Sequence, residues 1–333
     1  MAYIALYKKH FFHNLNLIAQ KLPKNCELAL VLKDNAYGHG LREIGLMASS
    51  FGINSVFVKN YFEAKKISDL FKNIFIFYPS DFDPTCNNCI PVAQSLGFLK
   101  ELQEGTKICL KINLLMNRNG IAQNELQNAL KIIKDKGLLL SFVIGHSGFA
   151  GFDRAKFEIE KELFKNIRDE ILSSGFEVKF SLFNSSGVSW TEGSLYDLVR
   201  VGHRAYGYSI DPLDYANNPP LPVLELFAHK ITEHSVNNES VGYGGVGRAN
   251  GIISSYDLGY GDGLYRIIEP GFKVTDGEEI IPVMSMDCMS IASRKNELSI
   301  FKDARVWAAR TNQSVYDVLV KLSPFIPRKI IDE

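Results

Sequence analysis

The chain has 333 residues, 46% of them hydrophobic, and its 37 Lys plus Arg are balanced by 37 Asp plus Glu. That length allows one large domain or two, with enough apolar surface for a substantial core. A formal net charge of zero argues against nucleic acid or an anionic membrane as the main partner, and leaves room for a small anionic ligand held by local groups.

From the N-terminus, MAYIALYKKHFFHNL shows no charged leader followed by an apolar core and a cleavage site, and no apolar run nears membrane-spanning length. A cytoplasmic location without a membrane partner is therefore expected. Short apolar runs predict strands at 27–33, 53–58, 73–78, 90–93, 107–113, 140–146, 178–183 and 197–202. Amphipathic segments between them predict helices near 41–51, 60–71, 95–103, 122–136 and 153–174. Such alternation implies parallel strands, and eight units imply a (β/α)8 barrel over residues 1–220 with its site at the C-terminal strand ends. After the proline-rich ANNPPLPV the pattern becomes strand-like, then glycine-rich, then IIPVMSMDCMSIAS, which predicts a mainly β domain over residues 221–333 with some helix at 303–322.

Five scattered cysteines, an odd number, suggest reduced thiols. Cys86 and Cys89 form a CxxC, but with no second pair at zinc spacing they read as surface-loop cysteines, and no metal is expected. Gly242-Tyr243-Gly244-Gly245-Val246-Gly247 fits GxGxxG, yet RANGIISSYDLG follows where a dinucleotide fingerprint needs a helix.

Lys33 ends the apolar run Leu28 to Leu32 and opens the segment KDNAYGHG, with Tyr37 four residues on and glycines leading into a helix. An amine shielded by apolar neighbours loses solvation of its charged form, so its pKa falls and the free amine can attack an aldehyde. The pattern suits a Schiff base with pyridoxal phosphate; a lysine that caps a strand with its head in water is the plain alternative. Further polar residues close later strands: Lys111 and Asn113 with Arg118 beyond, then His146, then Asn184 and Ser185, then Arg200 and Gly202. Singly, His146 could be a core histidine, Asn184 a helix cap and Arg200 a surface partner; at one barrel rim they compose a site.

KDNAYGHG resembles the pyridoxal phosphate lysine motif of alanine racemases. The resemblance continues in order through LKINLLMNRNGI, VIGHSG, FNSSG, DLVRVGHRAYG, VGYGGVG, LGYGDG, VMSMDCM and SPFIPR, nearly the whole chain. It implies a (β/α)8 barrel followed by a β domain, a head-to-tail homodimer with shared sites, and two-base racemisation of alanine that supplies D-alanine for peptidoglycan. Lys33 and the partner subunit's Tyr243 would be the two acid/base groups. Arg200 would face the pyridine nitrogen, His146 would bridge Arg200 towards Tyr243, and Arg118 would reach the phenolic oxygen and the substrate. Tyr37, Ser185, and the backbone N–H groups of Gly202 and His203 would hold the phosphate, with Asn184 beside them. Met286 and Asp287, from the partner, would lie at the substrate carboxylate and dimer face.

Lys111 matches a lysine that is carbamylated in many members; an unmodified lysine with a bound anion or water is the alternative. Departures from the usual pattern are Asn113 for an aspartate, Leu182-Phe183 for a small pair, Pro324 for a tyrosine and Val283 for an arginine. They bear on channel width and substrate choice, so a racemase of wider range, taking serine or larger amino acids, is the near rival. A barrel decarboxylase and a cofactor-homeostasis protein fit less well, given Arg200 and the β domain that carries Tyr243.

Overall fold

The computed structural model describes residues 1–80, 85–191, 196–210, 212–216 and 218–332. In chain order its elements are β1 (Tyr3–Tyr7), α1 (Lys8–Ala19), β2 (Glu27–Val31), α2 (Leu41–Phe51), β3 (Ser55–Val58), α3 (Tyr61–Lys66), β4 (Asn73–Ile76) and β5 (Cys89–Ala93). Then come α4 (Leu96–Glu101), β6 (Lys107–Lys111), α5 (Leu126–Asp135), β7 (Leu139–Ile144), α6 (Arg154–Ser173), β8 (Lys179–Ser181) and β9 (Leu198–Val201). The chain finishes with β10 (Leu224–Val241), β11 (Gly247–Tyr256), β12 (Ile280–Ile281), β13 (Met289–Ile291), β14 (Glu297–Phe301), α7 (Ala304–Thr311), α8 (Val315–Val320) and β15 (Arg328–Ile331).

The chain forms two compact units that interleave in sequence. One comprises Phe12–Lys33 and Gly45–Leu221; the other comprises Met1–Phe11, Asp34–Ile44 and the chain from Pro222 onward. One boundary falls between Leu221 and Pro222, and Met1–Phe11 and Asp34–Ile44 also join the C-terminal unit. The reason is hydrogen bonding: β1 pairs antiparallel with β10 and parallel with β15.

The first unit is a nearly closed parallel barrel, ordered β8-β7-β6-β5-β4-β3-β2-β9. Its strands are the eight that the apolar runs predict. In β3, β5 and β9 every residue is buried, as expected of parallel strands covered on both faces. Closure falls to Asp197. Its amide donates to Phe180 O at 2.9 Å, its carboxylate accepts from Phe180 N at 2.8 Å, and its carbonyl accepts from Glu27 N at 2.8 Å. One residue thus ties the ends of β8, β9 and β2. Phe57 stacks on Phe75 with centroids 4.4 Å apart, and Phe75 meets Phe142 edge-on at 4.8 Å, so aromatic packing runs across β3, β4 and β7. Asn14 of α1 donates to Ala205 O and Leu221 O, placing that helix against the segment after β9.

Sequence and structure part company at the cysteines. Cys86 and Cys89 are joined as a disulfide at the start of β5, and Cys89 is buried, so neither the reduced-thiol nor the surface-loop reading describes this pair. Cys26, Cys109 and Cys288 are free thiols. No group of metal-ligating residues occurs among the described residues, and no helix there is long and apolar enough to cross a membrane.

The second unit is a sheet ordered β12-β13-β11-β10-β1-β15, with β14 also paired to β10. β10 and β11 form a long hairpin. The GxGxxG glycines are its turn, followed by a strand rather than a helix, as the missing helical context indicated. The strand-like IIPVMSMDCMSIAS supplies two short strands, β12 and β13, separated by a loop that carries Met286.

Replacing Asp197 with alanine removes the side-chain acceptor that Phe180 N uses at the barrel seam and is expected to cost about 2 kcal/mol. The check is a lower urea midpoint with an unchanged m-value.

Candidate active site

The barrel rim gathers the polar residues that end its strands. Lys33 lies two residues past β2, Lys111 is the last residue of β6, His146 follows β7 by two, Asn184 follows β8 by three, and Arg200 lies within β9. All belong to one unit. Arg200 is 3% exposed, and its guanidinium carbon lies 5.7 Å from the centre of the Phe57 ring. Its Nη1 donates to Ser181 O at 3.0 Å and to Ser181 Oγ, and its Nη2 donates to Gly145 O.

After β6 the chain folds back on itself. Asn113 N donates to Ile121 O at 2.9 Å and Ile121 N to Lys111 O at 2.8 Å, closing a loop over Asn113–Gly120. Gly120, at φ +118°, makes this possible, since a Cβ there would sit 2.6 Å from Asn113 N. The loop brings Asn119 Oδ1 onto Lys111 Nζ and places Arg118, itself exposed, near Lys111.

Burial and neighbouring cations together set the protonation of this rim. Burial, then Arg118, then Arg200, push Lys111 down to about 7. Burial, followed by Arg200, Arg118, Lys111 and Lys33, holds His146 well below the ordinary histidine value, so it is a neutral imidazole at neutral pH. Burial lowers Arg200 to about 10, which still leaves it a cation. Among the described residues no carboxylate forms an ion pair with Lys111, Arg118 or Arg200.

Beside these cations lies a set of hydrogen-bonding groups. Asn184 caps the turn Ser185–Trp190 by accepting from Ser186 N and Gly187 N, both at 3.1 Å. Its Nδ2 donates to Ser147 O at 2.9 Å and lies 3.3 Å from His146 Nε2. Ser185 is 4% exposed, and its Oγ accepts from Gly202 N at 3.0 Å, which leaves the hydroxyl proton to donate elsewhere. The expected Gly202 amide is thus engaged with Ser185. Burial, with Arg204 adding to it, lowers His203 to about 4.

Tyr37, Tyr243 and Met286 belong to the second unit. The KDNAYGHG segment does not open directly into a helix. Asp34, Asn35, Ala36 and Tyr37 all have φ between +53° and +56°, a left-handed turn, and α2 starts only at Leu41. Left-handed backbone costs an L-residue about 1–2 kcal/mol, less for Asp and Asn. Several bonds offset this. Gly38 N donates to Asp34 O and Gly40 N to Asn35 O, both at 3.0 Å, and Leu41 N donates to Asn35 Oδ1 at 2.8 Å. His39 Nδ1 lies 3.1 Å from Ala36 O and from Tyr37 O, so Nδ1 carries the proton. The turn is seated by Arg328 Nη2 donating to Gly38 O at 2.9 Å and by Tyr316, 6.4 Å from the Tyr37 ring. At Gly38 a Cβ would meet Leu319 O at 1.9 Å, so only glycine fits. Burial, with Tyr316 and Asp34, raises the Tyr37 phenol, which stays protonated.

Tyr243 stands at the tip of the β10–β11 hairpin and is 64% exposed. Gly242 lets that tip approach the Pro282–Val283 backbone. Met286, 60% exposed, is held through its carbonyl, which accepts from Gly261 N at 2.7 Å; Asp287 follows it, also exposed.

Three supporting residues were not singled out from the sequence. Asn119 and Ser181 carry no signal beyond being polar. Glu160 is fully buried on the apolar face of α6, with Phe157, Phe164, Ile167 and Ile171, and a carboxylate in that register is a readable anomaly. It accepts from Gly148 N at 3.2 Å and Phe149 N at 3.4 Å, just past His146, and burial raises its pKa.

Comparison with known proteins bears on this arrangement. A family model described as alanine racemase, N-terminal domain, matches residues 7–210. The chain is 36% identical to an alanine racemase of Campylobacter curvus, covering 99% of this chain and 100% of that one. It is 34% identical to an alanine racemase of Nitratiruptor, with full coverage of both. Among solved structures, an alanine racemase of Clostridium difficile superposes with a TM-score of 0.88 at 19% identity, covering 100% of this chain and 96% of that one. An alanine racemase of Bartonella henselae with covalently bound pyridoxal phosphate gives 0.84 at 20% identity, with 99% of each chain covered. The two structures share the fold.

His39, fully buried and lowered to about 4 from 6.5, binds fewer protons folded than unfolded. The stability this contributes is fully present above pH 6.5 and is lost as pH falls towards 4, at up to about 1.4 kcal/mol per pH unit. Urea midpoints across that window should fall with acid, and less steeply in His39→Gln.

Proposed function

Because the chain belongs to the alanine racemase family, we propose that it interconverts L- and D-alanine with pyridoxal 5'-phosphate, as a cytoplasmic homodimer that supplies D-alanine for peptidoglycan. The observation that carries this reading is the pair of buried cations Lys111 and Arg200, with Arg118 beside Lys111 and, among the described residues, no carboxylate paired to either buried group. Burying like charges together is unfavourable unless an anion joins them. An aldehyde that bears a phosphate and a phenolic oxygen meets that need, and the residues present fit it. Lys33 would hold it covalently; the Ser185 hydroxyl, Tyr37 and the His203 amide would hold its phosphate, with Gly202 acting through Ser185.

When bound, the cofactor's conjugated ring draws electron density from the bond to the substrate's α-hydrogen and makes that hydrogen acidic. The chain's own residues then move the proton. Lys33 Nζ serves one face of the α-carbon and Tyr243 of the partner subunit serves the other, as inversion requires. Arg200 would face the ring nitrogen with an N–H and, as a guanidinium, would not give up its proton to it. Neutral His146 relays between Arg200 and the tyrosine. Arg118 orients the substrate side, with the partner's Met286 and Asp287 at the carboxylate end. Burial and then Arg118 lower Lys111 to about 7, which favours the uncharged amine, a state able to add carbon dioxide and release a proton to give a carbamate that would face Arg118. The exposure of Tyr243 and Met286 in a single copy supports a partner that covers them.

Lys33→Ala should lose both the yellow absorbance and activity; a yellow, active variant sinks the assignment. Tyr243→Phe should lower racemisation by about 10²–10⁴-fold. In heavy water it should still exchange the α-proton of one enantiomer while sparing the other, whereas equal exchange of both contradicts two bases. Dilution to monomers should abolish activity, and an active monomer rules out shared sites. Exchange with L-alanine but not L-serine separates the narrow enzyme from one of wider range.

A further inference from the structure

Arg200 is buried, carries a full charge, and among the described residues is fastened by neutral acceptors on or just past neighbouring strands. It reaches from β9 to the last residue of β8 and to the residue after β7. Nη1 is held twice by Ser181, through the carbonyl at 3.0 Å and through the hydroxyl, while Nη2 is held by Gly145 O. Ser181 itself is 0% exposed. A guanidinium is planar, so fixing Nη1 at two points and Nη2 at one sets the direction of every remaining N–H. The Phe57 ring, 5.7 Å away, adds a further restraint. The Ser181 and Gly145 carbonyls are backbone and cannot be changed by substitution; the Ser181 hydroxyl is the side-chain element of this clamp.

We propose that Ser181 is a positioning residue: its hydroxyl aims the Arg200 guanidinium, and through it sets how the cofactor's ring nitrogen is hydrogen-bonded. The proposal rests on the racemase reading above, in which Arg200 meets that nitrogen. Ser181 is fully buried and acts through Arg200. It adds no charge, so the arginine is oriented without being neutralised, as an aspartate in its place would do. The hydroxyl governs the turnover step rather than substrate capture, because substrate binding falls to other groups.

The test uses purified holoenzyme of wild type, Ser181→Ala and Ser181→Thr. In Ser181→Ala the absorbance band of the bound cofactor should move, with its pH midpoint displaced, and kcat should fall about tenfold while KM stays within about twofold. Ser181→Thr, which keeps the hydroxyl, should restore the band. If Ser181→Ala does not fold, Ser181→Cys, nearly isosteric but a weak acceptor, takes its place. An unchanged band and unchanged kcat in the alanine or cysteine variant overturns the proposal. So does a matched fall in thermal stability and kcat with no spectral change, which marks a packing role. A wild-type chain that takes up no cofactor, or takes it up without racemising alanine, fails at the underlying reading, and the role of Ser181 falls with it.

Discussion

Unbalanced positive charge at one end of a barrel is the constraint around which this chain is organised. Lys111 and Arg200 are buried, and Arg118 and Arg200 press on Lys111, yet the two lack carboxylate partners among the described residues. Such an arrangement is costly in an empty protein and becomes favourable when an anion enters. It also sets the chemistry of its members. Burial first, and then the neighbouring cations, lower Lys111 to about 7 and hold His146 well below the ordinary histidine value, so one rim holds a permanent guanidinium, a titrating amine and a neutral imidazole within mutual influence.

The scaffold meets this constraint with rigid supports. Asp197 ties the barrel seam, Asn184 links the His146 loop to the turn after β8, and Glu160 holds the amides beyond His146 from the other side. Groups on strand ends gain precision from such supports because a fixed neighbour restricts each rotamer. The second unit follows the same logic. Four consecutive left-handed residues hold the turn that carries Tyr37, and they persist because Asn35, His39 and Arg328 satisfy backbone groups around it. Positive-φ glycines shape the hairpin tip that presents Tyr243.

Much of this was legible in the residue pattern. The eight apolar runs became the eight barrel strands because a parallel strand buried on both faces must be apolar almost throughout. The rim residues were legible because a barrel strand places its C-terminal end at the site, so a polar residue closing an apolar run declares its position. GYGGVG was legible as a turn because the helix a nucleotide site requires did not follow it. The strand at Tyr3–Tyr7 was not legible in this way, since its partners lie more than two hundred residues on. The bonding of Cys86 to Cys89 was missed because composition speaks of an environment and not of the proximity that a tight turn enforces.

The sequence by itself determined which segments are strands, which residues end them, and which amine stands where a carbonyl cofactor can be caught. Those are local properties, set by side-chain period and by the residue types at chain breaks. Tertiary structure alone decided how the groups act on one another. That Lys111 titrates near neutrality, that His146 stays neutral, that Ser181 clamps Arg200, and that KDNAYGHG winds left-handed all depend on contacts between residues far apart in the chain. Burial and charge proximity have no one-dimensional signature, because both are sums over neighbours that only the folded chain brings together.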